Sequence, residues 1–98
     1  MEIKDILISD EIRVKIERKH GVRFFEVEEA TWNDDPSPWI RKSPKVPGRY
    51  VIYGQTFGGR YLKIAVRPLK AGRVELRTAV DMEDGERRDY RRHIKRGG

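Results

Sequence analysis

The sequence predicts a single α+β domain spanning residues 1–98, in which a strand and two helices precede an antiparallel sheet and a final helix. Three observations support this prediction. The chain has 98 residues, a length typical of one domain. Before residue 33, apolar residues recur at four-residue spacing, which is typical of helices. Between residues 49 and 80, segments rich in β-branched and aromatic residues alternate with glycine turns, which predicts a sheet of three or four strands.

The first third of the chain predicts one short strand and two helices. The isoleucines between residues 3 and 8 indicate a strand or a strand-like arm. Ser9 or Asp10 can then cap a helix by accepting a hydrogen bond from its free backbone N–H groups. Gly21 is placed to end that helix in a left-handed conformation, and a second helix is predicted over 24–32. In this second helix Phe24, Val27, Ala30 and Thr31 are predicted to face inward, and Glu26, Glu28 and Glu29 outward.

Strand signals follow the proline-rich breaker at 33–38. Residues 39–42 lie between prolines and are predicted to form an edge strand. Stronger strands are predicted over 49–55, 61–67 and 73–80. For the last strand, alternation predicts Val74, Leu76, Thr78 and Val80 on one face, and Arg73, Glu75, Arg77 and Ala79 on the other.

A final helix is predicted over 83–95, with a thin apolar stripe of Met82, Tyr90 and Ile94. Residues 95–98 are predicted to form a disordered tail. The helices are expected to cover one face of the sheet. The other face is expected to be partly open and to carry basic side chains.

Charge is distributed unevenly along the chain. Residues 1–35 contain ten acidic and six basic residues, whereas residues 36–98 contain six acidic and sixteen basic residues. This asymmetry indicates a phosphate-rich partner or an acidic protein partner. A surface rich in ion pairs, as in heat-stable proteins, is the alternative interpretation.

Composition excludes several classes of protein and of site. The chain has no cysteine, which excludes disulfides, thiolate zinc sites and cysteine nucleophiles, and its 2 histidines are too few to indicate a metal site. No run of about 18 apolar residues exists, and the first residues lack the cationic start and apolar block of a secretory signal. We therefore expect a cytoplasmic protein that needs no cofactor or metal.

Four ordered segments resemble the BrnT family, the toxin half of a bacterial type II toxin–antitoxin pair. They cover nearly the whole chain, from about residue 8 to residue 92. The segments are Arg18-Lys19-His20-Gly21-Val22 with Glu26-Val27-Glu28-Glu29-Ala30; Asn33-Asp34-Asp35-Pro36; Gly48-Arg49-Tyr50 with Gly54-Gln55-Thr56 and Gly59-Arg60-Tyr61-Leu62; and Thr78-Ala79 with Asp81-Met82 and Glu86-Arg87-Arg88-Asp89-Tyr90.

The resemblance implies a small RelE-like domain that cleaves RNA without a metal ion. It also implies a partner, a ribbon-helix-helix antitoxin similar to BrnA, that neutralises the toxin in a hetero-oligomer. DNA would be bound only indirectly, through that antitoxin, and no membrane would be involved.

The sequence departs from the family at the last strand. Val80 stands where the family usually has arginine, and Arg77 stands where it more often has an aliphatic residue. Strand alternation therefore predicts that charge has moved to the opposite face. This departure weakens the prediction of ribonuclease activity. The alternative is a catalytically inactive RelE-like module that acts with a partner in transcriptional autoregulation.

RNA carries its own nucleophile, the 2′-hydroxyl, so cleavage needs only a base, an acid and cations that stabilise charge at phosphorus. The residues predicted to be catalytic are His20, Arg67, Glu86 and Tyr90. His93, which lies among arginines late in the final helix, is the weaker of the two histidine candidates.

Each catalytic candidate also has a structural interpretation. His20 shares a helical face with Ile12 and Ile16 and can be a packed residue at the helix C-terminus. Tyr90 can pack its ring on the sheet, Glu86 can pair with an arginine, and Arg67 can belong to a solvated edge. For Trp32 and Trp39, which flank the proline-rich loop, core packing is favoured over base stacking.

The strongest predicted RNA footprint is a broad basic surface on the final helix, formed by Arg88, Arg91, Arg92 and Lys95. Docking of an acidic antitoxin segment is the alternative use of this surface. The full set of residues predicted to bind RNA is Lys19, Arg60, Lys63, Arg77, Arg87, Arg88, Arg91 and Arg92.

Overall fold

The computed structural model describes residues 2–96 and confirms the α+β class, with three helices and a five-stranded mixed sheet in that range. The elements in chain order are β1 Asp5–Leu7, α1 Asp10–His20, α2 Phe24–Trp32, β2 Trp39–Lys42, β3 Tyr50–Gln55, β4 Tyr61–Pro68, β5 Arg73–Asp81 and α3 Asp84–Lys95. A short 3-10 turn over 70–72 joins β4 to β5.

The signals that begin and end α1 act as predicted. Ser9 Oγ accepts a hydrogen bond from the Ile12 N–H at 3.2 Å, which satisfies one of the free donors of the first turn. Gly21 follows the helix with φ of 61°, and its N–H donates to the Glu17 carbonyl at 3.0 Å. A residue with a Cβ would be strained in this conformation, which accounts for glycine there.

The predicted inward face of α2 is confirmed, because Val27, Ala30 and Thr31 are buried and Phe24 packs against the core. The outward placement of Glu26 is wrong. Its side chain is only 17% exposed, and it accepts a hydrogen bond from the Arg23 N–H at 3.0 Å while pairing with Arg60. An internal cation therefore satisfies this carboxylate, which periodicity alone had assigned to solvent.

The sheet has the strand order β1-β5-β4-β3-β2. The four strands from β2 to β5 pair antiparallel, as predicted, and β1 adds a fifth strand that pairs parallel with β5. The Asp5–Leu7 segment is therefore an edge strand of the sheet.

Helices α1 and α2 cover one face of the sheet, which we call the first face. The core lies there, and Ile52, Leu62 and Ile64 are fully buried in it. Gly54 is required at the contact between β3 and α2, because a Cβ at this position would overlap the backbone carbonyl of Ala30. The close approach of helix and strand thus depends on a missing side chain.

Strand β5 contains a bulge that overturns the predicted alternation. Ala65 pairs with Thr78, and the next residue, Val66, pairs with Leu76, so Arg77 is the extra residue. Beyond it Ala79 is fully buried on the first face, and Thr78 and Val80 are only half-buried on the opposite, second face. The prediction that Arg77 and Val80 lie on opposite faces is therefore wrong.

Helix α3 packs against the second face, so the expectation that all helices cover one face is also wrong. Tyr90 is fully buried there, and its ring meets that of Tyr61 edge-on at 6.1 Å. The predicted disordered tail begins inside this helix, which includes Lys95; the Arg96 N–H still donates to the His93 carbonyl at 3.1 Å. Residues 97–98 lie outside the described residues.

Candidate functional site

The second face of the sheet is open beside α3 and carries cations. Lys63 and Arg67 alternate on β4 with the core residues Leu62, Ile64 and Val66, so both point to this face. Arg77 alternates with the buried Leu76 and lies on the same side, and the bulge places the half-buried Thr78 next to it. Three of the predicted site residues are therefore brought to one surface.

Glu75 holds two of these cations. Its Oε1 accepts hydrogen bonds from Arg67 Nε at 3.2 Å and from Arg77 Nη1 at 3.1 Å. Partial burial would raise the pKa of Glu75, but the two arginines outweigh it and lower the pKa. The carboxylate thus stays ionised at neutral pH, and it stands between two guanidinium groups as a bound phosphate would.

Lys63 and Glu86 join the sheet to α3 by an ion pair of 2.7 Å between Nζ and Oε2. Burial would raise the pKa of Glu86, but hydrogen bonds from Lys63 and from the Glu83 N–H outweigh it and lower the pKa. The bond to Glu86 in turn raises the pKa of Lys63. The structural interpretation predicted that Glu86 pairs with an arginine. Glu86 does form an ion pair, but its partner is Lys63.

The outer side of α3 presents the predicted basic surface. Arg88, Arg91, Arg92 and Lys95 line one shallow depression of about 260 Å³. Within residues 2–96 none of these four side chains forms an ion pair, although Arg91 lies over the Tyr61 ring at 5.2 Å. Arg87, by contrast, pairs with Asp84 one turn earlier. Four exposed charges are therefore available to bind an anion.

Tyr90 occupies a structural position. Its hydroxyl donates a hydrogen bond to the Ser37 carbonyl at 2.8 Å, which ties the proline-rich loop to α3. Burial raises the pKa of Tyr90 to about 12, so the phenol is neutral over the physiological range. The packing interpretation of Tyr90 agrees with this geometry, and its catalytic role stays a prediction.

Arg60 is the centre of an internal network. Its guanidinium pairs with Glu26 at 3.2 Å and with Asp81 at 2.6 Å, and it also donates to the carbonyls of His20 and Gly21. The hydrogen bond with Asp81 raises the pKa of Arg60 and lowers that of Asp81. Through these contacts the Arg60 guanidinium joins α1, α2, β4 and β5. This structural role is distinct from the predicted contact with RNA.

Two predicted site residues lie apart from the open second face. His20 and Lys19 are in the last turn of α1, which packs on the first face with Ile16 buried beneath it. Within residues 2–96 no hydrogen bond or ion pair joins the His20 side chain to Arg67, Glu86 or Tyr90, and the role of His20 in catalysis stays a prediction.

A pair of aromatic residues at the second face was not predicted. Trp39, on the edge strand β2, stacks on His93 of α3 with ring centroids 4.3 Å apart and an angle of 11° between planes. Helical spacing from Glu86 and Tyr90 places His93 on the sheet-facing side of α3 and could have identified it. The partnership with Trp39 could not be found in this way, because 53 residues separate the two.

Two other kinds of feature are absent from the described part of the chain. No group of three or more histidine, aspartate or glutamate side chains is placed to hold a metal ion. None of the helices has the length and apolar character needed to cross a bilayer.

Comparisons with known proteins identify a likeness of fold. No family model and no curated protein matches the sequence. Among solved structures, the fold is similar to the crystal structure of the ribonuclease toxin BrnT from Brucella abortus, with a TM-score of 0.63. The two chains are 16% identical, and the match covers 82% of this chain and 97% of that chain. The comparison confirms a BrnT-like fold.

Proposed function

We propose that this protein is the toxin of a type II toxin–antitoxin pair and acts in the cytoplasm as a metal-independent RNA endonuclease. Its fold is similar to that of a protein described as a ribonuclease toxin. The observation that carries the proposal is the set of exposed cations on one side of that fold. The outer surface of α3 and the open second face both contribute to this set.

The bulge in β5 supports this proposal where the sequence had weakened it. Val80 replaces the expected arginine, but the extra residue in the strand turns Val80 to the face that carries Arg77. A guanidinium there can bind two phosphate oxygens and remains charged at any physiological pH. The loss of an arginine at position 80 therefore leaves this face with an arginine.

In the proposed reaction the RNA 2′-oxygen attacks phosphorus, the bond to the 5′-oxygen breaks, and a 2′,3′-cyclic phosphate forms. Arg67 and Arg77 would stabilise the negative charge that develops at phosphorus, together with Lys63. Glu86, the carboxylate that pairs with Lys63, would accept the 2′-hydroxyl proton. The leaving 5′-oxygen would take its proton from water, because Tyr90 is buried and His20 lies on α1.

We further propose that a ribbon-helix-helix antitoxin similar to BrnA covers this cationic side and inhibits the toxin in a hetero-oligomer. Acidic side chains of the antitoxin would take the place of RNA phosphates on α3. DNA would be bound through the antitoxin only.

Incubation of the purified chain with labelled single-stranded RNA in EDTA tests the proposal. We expect cleavage, with cyclic phosphate ends, at the same rate with and without EDTA. An RNA with a single 2′-deoxy substitution at the cleavage site should resist cleavage there, because it lacks the nucleophile. Cleavage that requires a divalent metal, or RNA that is bound but never cut, would contradict the proposed activity.

The alternative is a catalytically inactive module that acts with a partner in transcriptional autoregulation. Three observations favour it: Tyr90 is buried, Glu86 is held by Lys63, and His20 lies on α1 at the first face, so these candidates do not form an acid–base pair within residues 2–96. Expression of the chain in a bacterial host separates the two functions. Growth arrest that a ribbon-helix-helix partner relieves supports the toxin, and harmless expression with retained partner binding supports the alternative.

The substitution Glu75→Gln should strengthen RNA binding. It removes the negative charge that holds Arg67 and Arg77, so both guanidinium groups become available to phosphate. Each phosphate contact contributes roughly 0.7 units of log affinity at about 0.1 M salt, so the two contacts predict a gain of about 25-fold. Fluorescence anisotropy of a labelled RNA measures the change. The matched control is Glu17→Gln, which removes an exposed charge from α1; equal affinities for the two variants would show that Glu75 does not compete with RNA.

A further inference from the structure

A second pocket lies where α3 meets the edge strand β2, apart from the basic surface already described. It has a volume of about 200 Å³. Its lining residues are Trp39, Asp89, Arg92, His93 and Arg96. Only Arg92 also borders the depression on the outer side of α3, so the two sites are neighbours along one helix.

The pocket has an aromatic wall. The stacked rings of Trp39 and His93 are both half-buried, which leaves part of each exposed to the pocket. Tyr53 supports the indole from the next strand at 5.8 Å, and the Arg41 guanidinium lies over it at 4.6 Å. His93 covers one face of the indole and the Arg41 guanidinium covers the other, so a nucleobase in this pocket would stack on the outer face of His93 and meet the edge of the indole. Stacking contributes roughly 1–3 kcal/mol per base.

The polar groups of the pocket complement a nucleotide. Asp89 is exposed, and within residues 2–96 its carboxylate has no hydrogen-bonding or ionic partner. An ionised carboxylate only accepts hydrogen bonds, so it selects a base edge that presents donors. Guanine offers two adjacent donors, N1–H and the N2 amino group, whereas uracil offers one N–H between two carbonyl oxygens.

The remaining lining residues supply positive charge. Arg92 lies on α3 and Arg96 directly follows its last residue; the two are four positions apart and both line the pocket. Within the described residues neither forms an ion pair. Together they can bind the phosphate of a nucleotide whose base lies against the aromatic wall.

We propose that this pocket binds a guanine nucleotide, with its base against Trp39 and His93, its donor edge on Asp89 and its phosphate on Arg92 and Arg96. The inference rests on the proposed function for the source of the nucleotide, which is a guanosine of the RNA substrate. The pocket then determines where along the RNA the chain binds.

Tryptophan fluorescence of a Trp32→Phe variant tests this proposal, because Trp39 is then the only indole. We expect saturable quenching by guanosine 5′-monophosphate, at least fivefold weaker binding of uridine 5′-monophosphate, and no quenching by inorganic phosphate. Asp89→Asn should weaken guanosine 5′-monophosphate binding about tenfold, since the amide presents a donor to a donor edge. Asp34→Asn, an exposed position in the proline-rich loop, is the matched control and should have no effect.

Three results would contradict the proposal that this pocket binds a guanine nucleotide. They are the absence of quenching by any nucleotide, equal affinity for the two nucleotides, and equal affinity for nucleotide and inorganic phosphate; the last would leave only an anion site. The same experiments distinguish this proposal from the proposed nuclease activity. Nucleotide binding without RNA cleavage would support the guanine-nucleotide pocket and contradict the nuclease activity. Cleavage whose site preference is unchanged in Asp89→Asn would support the nuclease activity and contradict the pocket.

Discussion

Replacement of Arg88, Arg91, Arg92 and Lys95 by glutamine is expected to weaken RNA binding by roughly 10²–10³-fold at about 0.1 M salt. These four side chains are exposed on α3 and have no acidic partner within residues 2–96. Each phosphate contact with single-stranded nucleic acid contributes a slope of about 0.7 to the dependence of log affinity on log salt. The slope should therefore fall by about three when all four contacts are lost. Anisotropy titrations at several salt concentrations measure both quantities.

A matched variant distinguishes this site from a general effect of charge. Replacement of Lys4, Lys15, Arg18 and Lys70 by glutamine removes the same charge from exposed positions outside α3. We expect only a small loss of affinity from that variant, because long-range attraction is screened beyond about 10 Å at 0.1 M salt. Equal losses from the two variants would show that α3 is not the RNA surface.

Tyr90→Ala should destabilise the fold by roughly 3–5 kcal/mol, the second large effect that we expect. The side chain is fully buried between α3 and the sheet, so its removal leaves a cavity as well as an unpaired Ser37 carbonyl. Urea unfolding measures the change, with the midpoint lowered and the slope unchanged. Tyr90→Phe keeps the ring, and we expect it to lower stability by only about 1 kcal/mol.

The phenylalanine variant also separates packing from catalysis. If Tyr90 is structural, Tyr90→Phe should retain RNA cleavage; a loss of cleavage without a loss of stability would establish the catalytic role. The raised pKa of Tyr90 can be measured directly by spectroscopy. Phenolate absorbance should show a tyrosine that ionises near pH 12 and is missing from Tyr90→Phe.

The raised pKa of Tyr90 also determines how the stability of the fold changes at alkaline pH. The folded state holds the Tyr90 proton more tightly than the unfolded state, in which tyrosine ionises near pH 10. The stability that this shift contributes is therefore complete below about pH 10 and is lost as the pH rises through about 12. Tyr90→Phe should lack this loss.

Local signals made most of the fold predictable. The cap at Ser9, the left-handed Gly21 and the apolar spacing of α2 each act within a few residues, so the helices could be predicted from short segments. The β-branched segments likewise predicted β3, β4 and β5 to within two residues at either end.

The incorrect predictions for Glu26 and for the faces of β5 share a different cause. The buried position of Glu26 depends on Arg60, which lies 34 residues later and supplies the opposite charge. The bulge at Arg77 depends on how β5 pairs with β4, and periodicity contains no information about an inserted residue. Long-range pairing decided these features.

The candidate site was predicted only in part for the same reason. The basic surface of α3 follows from helical spacing within one segment, and the structure confirms that its four cations lie together. Tertiary packing decided that Tyr90 is buried, that His20 lies on the first face and that Trp39 stacks on His93.

The extra residue in β5 determines how this chain should be compared with other proteins of similar fold. Because an inserted residue reverses the alternation of the strand, two residues aligned in sequence can project to opposite faces of the sheet when only one of the two strands contains the bulge. Equivalent chemistry must therefore be sought by the direction of the side chain, and an alignment that matches Val80 to an arginine overlooks the guanidinium three residues earlier that faces the same solvent. Charge can move along a strand in this way while the surface that it serves is preserved.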